Sequence, residues 1–534
     1  MSIFDAIAKR SLPQSVFDLS HEHKLSCNMG ELIPILLEEV LPGDTFQCKT
    51  SLLIRLAPML APVYHRINAY VHYFYVPNRL VWDNWHDHIT GGEDGTANPE
   101  HPYMSIQDST RNFFGRGSLA DYLGIPPVET GTTFTDTTRV SSLPFRGYQL
   151  IYNEYYRDVH LVDKVPIDTS IDGNEPTVVE LGKIRNRAWE KDYFTSARPD
   201  AQLGPQVLVP IAGQFSPQYA TNDGTPDFNT GEDLDGNGNV TGPATSGAIS
   251  FNAGNLTYDK GGVQTNANLK NLKDPQIIDN VQSTIEDQRR ANRLQEWLEL
   301  AMRGGSRINE IIRNFFDEVP DDLRLTRPQY LGGGKQPVVF SEVLNSTADQ
   351  TGTTLQPLGE YGGHGISVGN TNQFRKKFKE HGYIFGIMSI IPKSSYYQGI
   401  HKHWTKFDKY EKYWPQFANI GEQEIQNREI FAGYDGTPAT QEATFGYAPR
   451  YSEYKYKCSQ VSGDFRKDAD GDNLSYWHMG RHFPSQPNLG QTFVETQPND
   501  LHNIFAVTDP SIDKLYVQAY HNFKAKRKMP YHNL

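Results

Sequence analysis

Residues 55–92 read RLAPMLAPVYHRINAYVHYFYVPNRLVWDNWHDHITGG, and the stretch Val63–Val76 inside them decides the fold. Val63, His65, Ile67, Ala69, Val71, Tyr73 and Tyr75 fall on one face of an extended chain. Tyr64, Arg66, Asn68, Tyr70, His72, Phe74 and Val76 fall on the other. Pro62 and Pro77 fence the run, and proline is tolerated at a strand end, where its missing N–H is not needed. Asn78 then reads as the N-cap of a short helix with Leu80, Val81 and Trp85 on its apolar side, stopped by Gly91 and Gly92. A strand with bulky groups on both faces needs cover on both faces, so it belongs to a sheet packed inside something larger.

Working outward, Ile33–Val40 and Thr45–Leu56 are further strands, joined by the turn Pro42-Gly43-Asp44. Residues 335–345 and the apolar run 383–391 are strands as well, the second buried on both sides. Tyr451–Cys458 alternates and reads as another. Helical spacing appears at 118–123, at 145–158 with an aromatic face, and at 283–303, where Leu294, Trp297, Leu298 and Ala301 form a stripe. Residues 323–334, LRLTRPQYLGGG, read as a loop. No internal repeat is visible, and strands separated by long, unequal connections predict a sandwich with insertions rather than a propeller or solenoid.

The chain has 534 residues, of which 21% are charged and 12% aromatic, and its 51 basic and 63 acidic side chains leave −12. With a mean hydropathy of −0.59, it is polar through amides, hydroxyls and glycine more than through charge. It is not a nucleic-acid-coating protein as a whole, so any such contact must be local. Three scattered cysteines, Cys27, Cys48 and Cys458, fit neither a disulfide framework nor a zinc site. No apolar run approaches membrane-spanning length, so no membrane insertion is expected. Between Arg198 and Lys260 lie 61 residues with seven acids and no Lys or Arg. Phosphates repel such a segment, so 199–280 is expected to be a partly β surface insertion facing away from nucleic acid.

Chemistry-bearing motifs are sparse. His21-Glu22-His23, His86-Asp87-His88 and His401-Lys402-His403 each offer two imidazoles, but no spacing fixes a third ligand, and structural roles are expected. Asp233, Asp235 and Asn237 begin like a calcium loop, yet Ala244 stands where the bidentate Glu belongs. A weakly bound Ca2+ there is the one cofactor candidate; otherwise none is expected. There is no nucleophile elbow, Walker loop or dinucleotide fingerprint, and no enzyme is expected. At the C-terminus, Lys524, Lys526, Arg527 and Lys528 interleave with Phe523 and Tyr531. Cations among aromatics suit single-stranded nucleic acid, by phosphate pairing and base stacking. A solvated basic tail is the plain alternative.

Five segments carry a resemblance: 17–46, 57–92, 320–334 (PDDLRLTRPQYLGGG), 396–404 (YYQGIHKHW) and 445–456 (FGYAPRYSEYKY). Together they resemble the major capsid proteins of the Microviridae, in the gokushovirus-like branch. The resemblance implies a mainly β chain, an eight-stranded antiparallel jelly-roll β-sandwich with long, partly helical inter-strand insertions. It implies self-assembly into a T=1 icosahedral shell around circular single-stranded DNA, made in the cytoplasm of a bacterial host. Implied partners are other copies of the chain, the packaged DNA, a small basic DNA-packaging protein, a scaffolding protein, a DNA pilot protein and a host-surface receptor. The expected division is an arm at 1–30, jelly roll at 31–198 and 281–513, a threefold protrusion at 199–280, and a basic tail at 514–534. A β-sandwich that binds or processes carbohydrate is the alternative.

Overall fold

The computed structural model describes residues 13–129, 131, 138–205, 207, 284–305, 307–317, 326–344, 361–434, 438–467, 473–507 and 509–531, together with the backbone of short strands between 212 and 282. Nine strands form one curled antiparallel sheet: β1 (Ser15–Asp18), β2 (His21–Cys27), β3 (Ile33–Val40), β4 (Thr45–Leu56), β5 (Ile67–Pro77), β6 (Gln329–Leu344), β7 (Tyr361–Lys377), β8 (Gly382–Pro392) and β9 (Leu515–Arg527). Their order is β1-β9-β4-β7-β6-β5-β8-β3, with β2 also on β9. Strand β6 changes partner midway: Gln329–Val338 lies on β5 and Val339–Leu344 on β7. It therefore divides the sheet into two leaves, β2-β9-β4-β7 and β6-β5-β8-β3, which is the winding order of a jelly roll. Between them sits the sandwich core, with Phe46, Ile54, Tyr73, Met388 and Phe523 at its centre.

The glycines read as a loop belong to β6. A Cβ on Gly333 would collide with the Val71 carbonyl oxygen, and Gly332 has φ +140° at the point where the register with β5 slips. Only glycine lets β6 approach β5 that closely while bulging.

Strand β5 is covered on both faces, as its residues require. Ile67, Ala69, Val71, Tyr73 and Tyr75 enter the sandwich core. Phe74 and Val76 face a second core containing Trp82, Phe145, Tyr148 and Phe385. That second core is built by the segment following β5, with helices α1 (Trp85–Thr90), α2 (Leu119–Tyr122) and α3 (Leu143–Ile151). Its anchor is Arg146 on α3, fully buried. Arg146 pairs with buried Glu175 at 2.8 Å and donates to the carbonyls of Val81 (2.9 Å) and Ile171 (3.2 Å).

Several expectations shift. The strand begins at Ile67 rather than Val63, because the pairing with β8 ends at Pro392 and Tyr64 turns out to stack on Trp477. Asn78 is no side-chain cap. It is buried, opens a 3-10 turn, and its carbonyl accepts from the Val81 and Trp82 amides; Gly91 at φ +79° ends α1 as expected. The aromatic helix at 145–158 is α3 continued by a π-turn over Tyr152–Tyr156. The alternation at 451–458 does not make a strand: Tyr451 takes φ +62° and Ser452–Lys455 coils helically. Residues 15–27 are not an arm and 515–527 not a tail, since they pair with each other in the sheet. Gly204–Leu300 forms its own compact unit, with short strands such as Ile249–Asn252, Asn255–Lys260 and Val263–Asn266.

Candidate nucleic-acid interface

The alternation of β9 sends Leu515, Val517, Ala519, His521, Phe523 and Ala525 into the sandwich core or its wall, and Tyr516, Tyr520, Asn522, Lys524 and Lys526 outward. On β4 the outward positions include Gln47, Lys49 and Arg55; on β7 they include Gln373, Arg375 and Lys377. Register then brings distant residues into rows. Lys526, Thr45 and Lys377 share one row; Lys524, Gln47 and Arg375 the next; Asn522, Lys49 and Gln373 the third. Tyr516, Arg55 and Ile366 form a row at the far end. Adjacent strands lie about 4.8 Å apart and same-face residues about 7 Å apart along a strand, so six cations share one open face.

Among the described residues none of these six takes part in an ion pair. Two carboxylates stand at the sheet edge. Asp18 is across from Lys524 and is held below its ordinary carboxyl range, first by the Ser20 hydroxyl and then by the Ser20 amide. Glu22 pairs with Lys24 at 3.5 Å. A chain carrying −12 thus presents one face of the opposite sign, with the half-exposed rings of Tyr516 and Tyr520 beside it. Such a surface attracts polyanions and offers rings for stacking.

The C-terminal quartet divides. Lys524 and Lys526 are on the open face. Arg527 turns away and pairs with Glu38 (2.9 Å) and Asp44 (3.1 Å) over the Phe46 ring. Lys528 lies against Gly43. Lys49, Arg55, Arg375 and Lys377 were missed by sequence reasoning. Alternation in β4 was the available signal, but the pairing that collects them joins segments hundreds of residues apart.

Asp233, Asp235 and Asn237 lie outside the described residues. Among the described residues no three His, Cys, Asp or Glu groups converge as a metal site. His21 sits 5.1 Å, ring to ring, from His521, which is buried between Thr50 Oγ1 (2.8 Å) and the Ile35 carbonyl (3.0 Å). His88 hydrogen-bonds the Pro99 carbonyl at 3.2 Å, and His401 and His403 face each other through Nδ1 at 2.5 Å. All three cysteines are free. Burial raises the Cys27 thiol and pushes Cys48 to about 11 and Cys458 to about 12, so they are protonated thiols near neutral pH. Among the described residues no helix is long and apolar enough to cross a membrane.

A broad sheet face carrying charge and rings is a recognition surface, not a reaction cleft. The fold defines a mainly β protein built around one curled antiparallel sheet. The capsid protein (F protein) family matches residues 6–533. Capsid protein VP1 of Chlamydia phage 1 is 32% identical across 99% of this chain and 97% of its own length. Capsid protein VP1 of Bdellovibrio phage phiMH2K is 32% identical across 97% and 94%, and that of Spiroplasma virus 4 is 27% identical across 99% and 96%. The chain belongs to the capsid protein (F protein) family: it is a structural, non-enzymatic protein that assembles with itself into a shell. The carbohydrate-active alternative falls with that membership.

Proposed function

We propose that this capsid protein builds a T=1 icosahedral shell around circular single-stranded DNA, and that the open face of β9, β4 and β7 lies against the packaged strand. The observation that carries the reading is the row-by-row gathering of six cations, without ion-pair partners among the described residues, on one leaf of an otherwise acidic chain. Phosphates are held by cations left free to reach them, and bases stack on tyrosines without regard to sequence. An acidic subunit also needs cationic help to compact DNA, which favours a small basic packaging protein as co-occupant of the interior. Scaffolding and pilot proteins complete the assembly set expected of such a shell. The unit around 199–280, poor in cations, is suited to face outward and meet a host receptor. On this reading the protein is made and assembled in the host cytoplasm.

Two measurements test it. Purified full-length protein should yield uniform closed shells by negative-stain microscopy; a species that stays monomeric under all assembly conditions contradicts the shell. Binding of a short single-stranded oligonucleotide should weaken with salt, with a log–log slope near −4 if six phosphates are engaged (about 0.7 per contact). A salt-independent affinity contradicts the face.

A further inference from the structure

The segment following His403 reads WTKFDKYEKYW over residues 404–414. Its rings point into solvent: Trp404 is 71% exposed, Phe407 87%, Tyr410 54% and Tyr413 52%. So much exposed aromatic surface in one place is unusual for a chain that works alone. Nor is it slack. Beneath it Lys406 and Glu453, each buried, form an ion pair, and Gln423 donates to the other Glu453 oxygen at 2.6 Å. The Glu411 carboxylate accepts from the Phe407 (2.8 Å) and Asp408 (3.0 Å) amides. Trp414 donates through its ring N–H to the Lys409 carbonyl at 2.8 Å. Tyr451, held in the left-handed region at φ +62°, accepts from the Trp414 amide and donates to the Lys412 carbonyl, both at 3.3 Å. A buried ion pair and an unfavourable backbone conformation thus hold rings outward, which is preorganisation of a contact surface.

We infer that this ledge is a subunit contact, and that its occupant is the same ledge of a second copy of the chain, across a twofold axis. The exposed charges select that occupant. Asp408, Lys409, Glu411 and Lys412 sum to zero and alternate in sign, unlike the one-signed sheet face, so a polyanion gains nothing here while a copy turned by half a rotation meets opposite charges. Aromatic anchors with a mixed-charge rim are the composition of protein–protein interfaces.

The inference rests on the shell reading, and its test separates the two. If the unaltered full-length chain forms no particles in sedimentation velocity, the shell reading fails. Given that it does, Phe407→Ser with Tyr410→Ser should abolish the particle peak while leaving the circular-dichroism melt of the subunit unchanged. Particles at unaltered yield overturn the ledge alone. Charge reversal gives a second decision that does not depend on that variant folding. Asp408→Lys alone and Lys409→Asp alone should each lose the particle peak, because each ledge repels its own copy. A one-to-one mixture of the two should restore it, as should both changes in one chain. Failure of the mixture to assemble, or full assembly by either single variant, overturns a self-paired ledge.

Discussion

The two leaves of the sandwich are built from the same kind of strand and are finished differently. In the leaf containing β5 and β8, both faces are buried: Ile384, Met388 and Ile390 fill the sandwich core, while Phe385 and Ile387 sit beneath α1–α3. In the leaf containing β9 and β4, burial alternates, and the outward side carries Lys49, Arg375, Lys524 and Lys526. The difference follows from where the long insertions land. The segment after β5 folds back over its own leaf and makes it interior, so the other leaf is left as surface and takes on charge. An antiparallel sheet can accept either finish, and the side chains of each leaf match the one it received.

The largest test of that contrast removes the anchor of the cover. Arg146→Met leaves Glu175 buried without its partner and should cost about 3–5 kcal/mol in a denaturant melt; on the open face, removing Lys524 strands no buried charge. A smaller effect comes from the histidine on the inner side of the open leaf. Burial lowers the His521 pKa to about 4, below its ordinary 6.5. Above 6.5 it is neutral folded or unfolded and contributes nothing. Between 6.5 and 4 the unfolded chain takes up the proton more readily, so stability falls as pH falls. At pH 4.5 His521 should account for about 2–3 kcal/mol of that loss, and His521→Gln should flatten that part of a melt series run from pH 7 downward. His65 and His72, also lowered to about 4 by burial, would keep the remaining slope.

The most direct comparison uses two outward-facing apolar residues. Ile387→Val, under the cover, should cost about 1 kcal/mol. Val368→Thr, 73% exposed on the open leaf, should stay within about 0.5 kcal/mol. A similar cost at both positions would mean that the open leaf is covered too. Least visible in a melt, Lys49→Gln, Arg375→Gln, Lys524→Gln and Lys526→Gln should barely change stability. Each should nevertheless reduce the salt slope of single-strand binding by about 0.7.

The same contrast explains what the sequence disclosed. Strands with a strong local pattern were legible: Ile33–Val40, Thr45–Leu56, the apolar run of β8, and the two-faced demand of β5, whose cover lies next along the chain. Strands β1, β2 and β9 were not, because each finds its partner at the opposite end of the chain. Strand β6 was legible from residue 335 onward, while its first part, 329–334, was hidden by glycines whose purpose is close approach to β5. Alternation misled at 451–458, where Tyr451 in the left-handed region starts a helical turn instead. The site was half legible: Lys524 and Lys526 stood out as a cluster, whereas Arg527, beside them in sequence, faces Glu38 and Asp44. Lys49 and Arg375 join the face only through register.

On the proposed reading, the uncovered leaf is the one turned toward the genome. A reconstruction of the DNA-filled particle tests it most directly. Nucleic-acid density is predicted to lie against the Lys49, Arg375, Lys524 and Lys526 face, on the inside of the shell. That face found on the outer surface, or packed against a neighbouring subunit with no density beside it, would contradict the claim.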